Sequence, residues 1–175
     1  MMKSTKIVNL FAGPGAGKST GAAYVFAKLK LAGVNAELVT EFAKEKVWEG
    51  DKEAFENQMF IIGSQMHRLA CVFGKVDVIV TDSPVLLAAA YADPYTAKSV
   101  LSQADDKGWL HSSVNFLIKR VKKYSPDGRN ESEAQAEAID EKIRKYLDES
   151  HVEYEEVTGD LAGYDKIVSE VLLLN

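Results

Sequence analysis

Between residues 12 and 20 the chain reads Ala12-Gly13-Pro14-Gly15-Ala16-Gly17-Lys18-Ser19-Thr20. A turn this rich in glycine, running into lysine and two hydroxyls, fits few folds. It needs a strand before it and a helix after it. The flanks supply both. Ile7-Val8-Asn9-Leu10-Phe11 has the length and apolar content of a buried parallel strand, and Gly21 to Leu31 reads as a helix. In that setting the backbone of Gly13, Pro14, Gly15, Ala16 and Gly17, with the first helical residues Lys18, Ser19 and Thr20, frames an anion site for β- and γ-phosphates. Lys18 brings positive charge to those phosphates, and the Ser19 hydroxyl is a ligand for magnesium. ATP and Mg2+ are therefore the expected cofactors. Ala12 stands where glycine is frequent, and it is small enough for the turn.

The remaining strands and helices alternate. Residues 35–40 read as a second strand and 42–49 as a short helix. Asp51 is an N-cap with Glu53 in the first turn. Phe55, Met59, Ile62, Met66, Leu69 and Phe73 then recur at helical spacing, which predicts one continuous helix over 52–73 with a single apolar stripe. Val76 to Thr81 is a third strand, followed by helices opened at Ser83-Pro84 and Asp93-Pro94. Val114 to Ile118 is a fourth strand. Asn130 with Glu133 resembles a capping pair for a helix to Asp148 that buries Ile139, Ile143, Tyr146 and Leu147. Val152 to Val157 is a fifth strand and 161–174 a closing helix. This order implies an α/β fold, a parallel sheet covered on both faces. At 175 residues the chain fits one domain, 1–175, with 119–149 read as an insertion or lid.

Bulk properties remove several alternatives. The longest apolar run falls short of the roughly 20 residues of a membrane span. With no signal-peptide core at the start, a cytoplasmic setting is expected. The one cysteine, Cys71, sits on an apolar helix and reads as a buried structural thiol. His67, His111 and His151 lack metal-ligand spacing. The net charge of −5 disfavours broad binding of duplex nucleic acid, though it leaves room for a local basic patch.

Ligands in such sheets bind beyond the carboxyl ends of the strands. Besides the glycine-rich turn, those ends carry Glu41 after strand two, Asp82 after strand three and Lys119-Arg120 after strand four. Asp82 closes V-I-V-T-D, the pattern of a carboxylate that holds magnesium or accepts a proton; it also fits a cap for the next helix. Glu41 is placed to face a phosphate acceptor, or equally to be a solvated first-turn residue. Arg120 and Arg129 bracket a Pro126–Gly128 turn, as a closing lid that neutralises transferring phosphate would require. Gln58, Gln65 and Arg68 share a line beside the apolar stripe and are candidate acceptor contacts. Thr158-Gly159-Asp160, after the last strand, is a candidate contact for the adenine base.

Taken together, A-G-P-G-A-G-K-S-T at 12–20, V-T-E-F-A-K-E at 39–45, V-I-V-T-D-S-P at 78–84 and K-R-V-K-K-Y-S-P-D-G-R-N at 119–130 resemble a family of small P-loop kinases. That family includes nicotinamide riboside kinases and phage-encoded nucleoside or nucleotide kinases. The resemblance implies a three-layer kinase fold with strand order 2-3-1-4-5, ATP with magnesium and an arginine-bearing lid. It also implies transfer of the γ-phosphate to a nucleoside-like acceptor. For a phage-encoded chain the setting would be the host cytoplasm. The family often has an arginine soon after the strand-two glutamate, where this chain has Lys44, and an aspartate–arginine pair where it has Asp82-Ser83. Free nucleosides, nucleotides and a hydroxymethylated pyrimidine in DNA all stay open as acceptors, as does a P-loop ATPase with no small-molecule acceptor. An N-K-x-D guanine-reading motif is missing from the sequence, which disfavours a GTPase switch.

Overall fold

A computed structural model describes residues 4–121 and 132–174. Five parallel strands, β1 (Lys6–Phe11), β2 (Ala36–Val39), β3 (Val78–Thr81), β4 (Ser113–Lys119) and β5 (Glu155–Thr158), form one sheet in the order β2-β3-β1-β4-β5. β1 pairs directly with both β3 and β4, Asn9 standing opposite Thr81 and Asn115. This is the order that the kinase resemblance implied.

Period-two alternation explains the three layers. Val8 and Leu10 of β1, Val78 and Val80 of β3, and Phe116 and Ile118 of β4 point to one face. There they meet α1 (Lys18–Leu31) through Ala22, Val25 and Leu29, and α8 (Leu161–Leu173) through Tyr164, Ile167 and Val171. Ile7, Ile79, Phe11 and Leu117 point to the other face. That face is covered by α4 (Gln58–Val72), α5 (Val85–Tyr91), α6 (Pro94–Asp106) and α7 (Glu133–Glu149). Strands buried on both sides must be apolar throughout, and β1 and β3 are nearly so.

The structure corrects several sequence expectations. The helix expected over 52–73 is broken into α3 (Lys52–Glu56) and α4, because the Asn57 side chain accepts from the Phe60 amide at 3.1 Å and starts a second helix. The apolar stripe loses its first members: Phe55 and Met59 are exposed. The expected Asp51 cap is present, its carboxylate accepting from the Ala54 amide. α7 is capped by Ser132, paired reciprocally with Gln135, so Glu133 is the first helical residue rather than the partner of a cap at Asn130. Cys71 is exposed, with its sulfur 3.5 Å from His67 Nε2 one turn earlier.

Of the segment 119–149 read as an insertion or lid, residues 122–131 lie outside the described residues. The rest is built into the body. Ile143 and Leu147 of α7 are fully buried against Phe11, Leu117, Leu86 and Leu87. Leu147→Ala should therefore cost about 2–5 kcal/mol in urea unfolding, the range for a leucine cut from a packed core. A cost below ~1 kcal/mol would mean that α7 is not held against the sheet.

Candidate active site

The carboxyl ends of β1, β2, β3 and β4 meet at one edge, around the Lys18 side chain. The turn after β1 reaches α1 through Gly15 and Gly17, both at positive φ (77° and 107°), which l-residues with side chains rarely adopt. Gly17 cannot carry a Cβ for a second reason: the Tyr164 hydroxyl would collide with it. That hydroxyl instead donates to the Gly17 carbonyl at 3.0 Å, tying α8 to the turn. Gly13 lies equally close to α7, where a Cβ would come within 2.8 Å of both the Ala136 carbonyl and Asp140 Oδ1.

Lys18 Nζ donates to the carbonyls of Ala12 (2.7 Å) and Gly13 (3.0 Å), so it folds back over the loop it follows. Its pKa is lowered, chiefly because the surrounding protein strips water from the ammonium. The carboxylates of Glu41, Asp82 and Asp140 oppose that shift, and Arg120 adds to it. These four charged residues, on four different segments, therefore converge on one lysine. Three of them were named from strand ends.

Asp140 was not. Its Oδ1 accepts from the Gly13 amide at 2.5 Å, and its Oδ2 accepts from Arg120 Nε (3.1 Å) and Nη2 (2.8 Å). One carboxylate on α7 thus sets both the start of the phosphate loop and the guanidinium at the end of β4. No periodic pattern marks a single aspartate on a mostly charged helix. The one available cue was Gly13, which has to be glycine because something packs on it.

Asp82 is buried, and its Oδ1 accepts from the Glu41 amide at 3.1 Å, so β3 fixes where β2 ends. Because β3 is the immediate neighbour of β1, Asp82 lies directly beside the phosphate loop. A cavity of about 230 Å³ opens here, lined by Ser19, Ala22, Ala23, Leu38, Thr40, Glu41, Lys44, Glu45, Trp48 and Asp82. The Ser19 hydroxyl and the Asp82 carboxylate are a small all-oxygen donor set. That suits Mg2+, which takes one or two protein oxygens and completes its shell with phosphates and water. Among the described residues no group of three or more His, Cys, Asp or Glu could hold a metal by itself.

The candidate acceptor contacts divide. Gln65 is buried, and its Oε1 accepts from the Phe42 amide at 2.8 Å, anchoring the start of α2 (Phe42–Glu49). Gln58 is exposed at the first turn of α4 and does not line the cavity. Arg68 pairs with Glu45 at 2.5 Å and reaches the Thr40 carbonyl at 3.4 Å. The cavity wall is thus α2, with α4 behind it. Arg129 lies outside the described residues.

On the other side of α1 a second cavity, of about 390 Å³, is lined by Thr20, Tyr24, Asp160, Leu161, Ala162 and Tyr164. Asp160 was expected near a base; Gly159 has a different place. The Gly159 amide donates to the Lys119 carbonyl at 2.9 Å, and its Cα packs against the Ala16 carbonyl at the back of the phosphate loop.

A family model described as an AAA domain matches residues 7–163, from β1 into α8. The chain belongs to this family. Its members are P-loop nucleotide-binding proteins, in agreement with the turn at 12–20 and the sheet around it. The search of curated proteins gave no match. No described helix of this AAA-domain protein is long and apolar enough to cross a membrane.

Substitution and titration both test this geometry. Lys18→Ala should lower nucleotide turnover at least 100-fold, about 3 kcal/mol, with an unchanged melting temperature. In the unsubstituted protein the lysine must be charged to hold phosphate, and its pKa lies below the ordinary lysine value. Nucleotide affinity should therefore fall as pH rises through that lowered pKa. Titration calorimetry should also show proton uptake on binding in this range. Separately, Asp140→Asn and Arg120→Ala should each depress turnover about 10-fold or more, with a double variant little worse than either alone, since the two residues form one unit. Additive losses in that cycle would separate them.

Proposed function

We propose that this AAA-domain protein is an ATP-dependent kinase that transfers the γ-phosphate to a nucleoside-like acceptor. The observation that carries the proposal is the cavity past Ser19 and Asp82. Hydrolysis needs room for one water, about 30 Å³ of liquid volume, whereas this cavity measures about 230 Å³ and approaches the size of small-molecule sites. The strand order is a second support, since it is the one the kinase resemblance implies.

In this reading the nucleobase occupies the cavity beside Tyr24 and Leu161, the phosphates lie along the turn 13–19, and the acceptor enters beside α2. Ser19 and Asp82 would hold Mg2+, which neutralises phosphate charge when bound. Lys18 and Arg120 place positive charge where the transferring group spreads its negative charge. Apolar Leu38, Ala22 and Ala23 exclude water on the acceptor side. The Asp82 carboxylate sits at the ligand edge of β3, while Asp77 precedes that strand at the far edge, its backbone pairing with Lys6 and Asn35.

The family description itself favours a second reading, an ATPase without a small-molecule acceptor. Labelled ATP incubated with a panel of nucleosides, nucleotides and modified DNA discriminates between them. The kinase reading expects label on an acceptor, lost at least 100-fold in Asp82→Asn and little changed in Asp77→Asn. Release of free phosphate alone, insensitive to every acceptor, would favour the ATPase.

A further inference from the structure

We infer that the outer face of α4 is a self-association surface, and that its occupant is the antiparallel α4 of a second copy of this chain. α4 presents Met59, Phe60, Gly63, His67, Ala70 and Cys71 to solvent. At 3.6 residues per turn these six fall within about one third of the helix circumference, turned away from buried Ile62, Met66 and Leu69. A surface helix ordinarily shows charged residues to water. None of these six is Asp, Glu, Lys or Arg. The one arginine of α4, Arg68, lies off this face and pairs with Glu45. Met59 and Phe60, by contrast, are 55% and 44% exposed.

Gly63 supplies a separate observation. Glycine in a helix interior is unfavourable relative to alanine, so its presence needs a reason. The glycines at 33, 50 and 108 also border open space, but positive φ accounts for each of them. Gly63 has no positive φ, and a Cβ there would meet nothing within 4 Å. The packing of its own chain therefore gives no reason for it. Close approach of another helix does, since small residues at the crossing allow the short end of the roughly 8–10 Å interaxial range.

The face is complementary to itself when reversed. In an antiparallel register centred at the level of Gln65, Met59 stands opposite Cys71, Phe60 opposite Ala70 and His67 opposite Gly63. Each bulky residue meets a small one, as a closed two-fold contact requires of a single patch. The charges at the two ends agree. Exposed Glu53 and Glu56 of α3 flank the N-terminal end of α4. Exposed Lys75 follows the C-terminal end, where its Nζ donates to the Cys71 carbonyl at 2.7 Å. Reversal brings Glu56 of each copy beside Lys75 of the other. A helix of 15 residues is only about 22 Å long, so this contact is smaller than the ~800 Å² per partner of a standard interface and makes a reversible dimer.

Sedimentation velocity of the full chain, with reductant present and across a dilution series, reads the outcome. The expected result is a monomer–dimer equilibrium. Gly63→Leu has room within its own chain and removes a helix-interior glycine. It should weaken dimerisation at least about 10-fold by overfilling the contact, while the melting temperature holds or rises. Glu56→Lys and Lys75→Glu should each weaken it about 3-fold or more, because like charges then meet at both ends. Mixing these two variants in equal amounts restores opposite charges at both ends and should recover the dimer. A chain that stays monomeric at every concentration would overturn the inference and leave the face to a partner of another kind. So would a dimer indifferent to Gly63→Leu, or charge variants that fail to recover on mixing.

Discussion

A phosphate-binding turn must leave most of its amides free for the anion, so internal hydrogen bonds can hold little of its shape. Here the shape is imposed from outside. The Tyr164 hydroxyl of α8 takes the Gly17 carbonyl, Asp140 of α7 takes the Gly13 amide, and Gly159 after β5 closes against Ala16. Each clamp requires a residue without a side chain at the point of contact. The glycines of the turn are thus fixed by their neighbours as much as by any ligand. Because α7 and α8 press on opposite faces of the sheet, the turn sits at a junction of both hydrophobic layers, and the helices that build the core also set the site.

The electrostatics follow from this packing. Lys18 is drawn into a place with little water, which disfavours its charge, and is returned toward the charged state by the carboxylates that follow β2 and β3 and by one on α7. Arg120 is presented to the same region by its fork to Asp140.

Much of this architecture was legible in the residues. Strands buried on both faces announce themselves as apolar runs, and the turn at 12–20 is specific enough to fix the first strand and helix around it. Asp82 and Glu41 followed from the rule that parallel sheets bind at their carboxyl ends. What failed was what no local period encodes. The stripe from Phe55 to Phe73 is helical in spacing, yet the Asn57 side chain competes for the backbone and splits the helix, leaving Phe55 and Met59 in solvent. Gln65 was a candidate contact because it shares a helix line with Gln58 and Arg68; in the structure its Oε1 accepts from the Phe42 amide. Asp140 was invisible because its partners lie 127 and 20 residues away.

α2 has no fully buried residue. Its described attachments include polar ones, Gln65 to the Phe42 amide, Asp82 to the Glu41 amide and Arg68 to Glu45, and ring contacts of Phe42 and Lys46 with Phe60. Substitution on an exposed helix seldom threatens a fold. The residues that α2 offers to the cavity, Lys44, Glu45 and Trp48, can therefore change under selection while the phosphate machinery behind them stays intact. In such a scaffold the lining of the cavity and the packed core are carried by separate parts of the chain, and the lining can be altered without first acquiring a more stable protein.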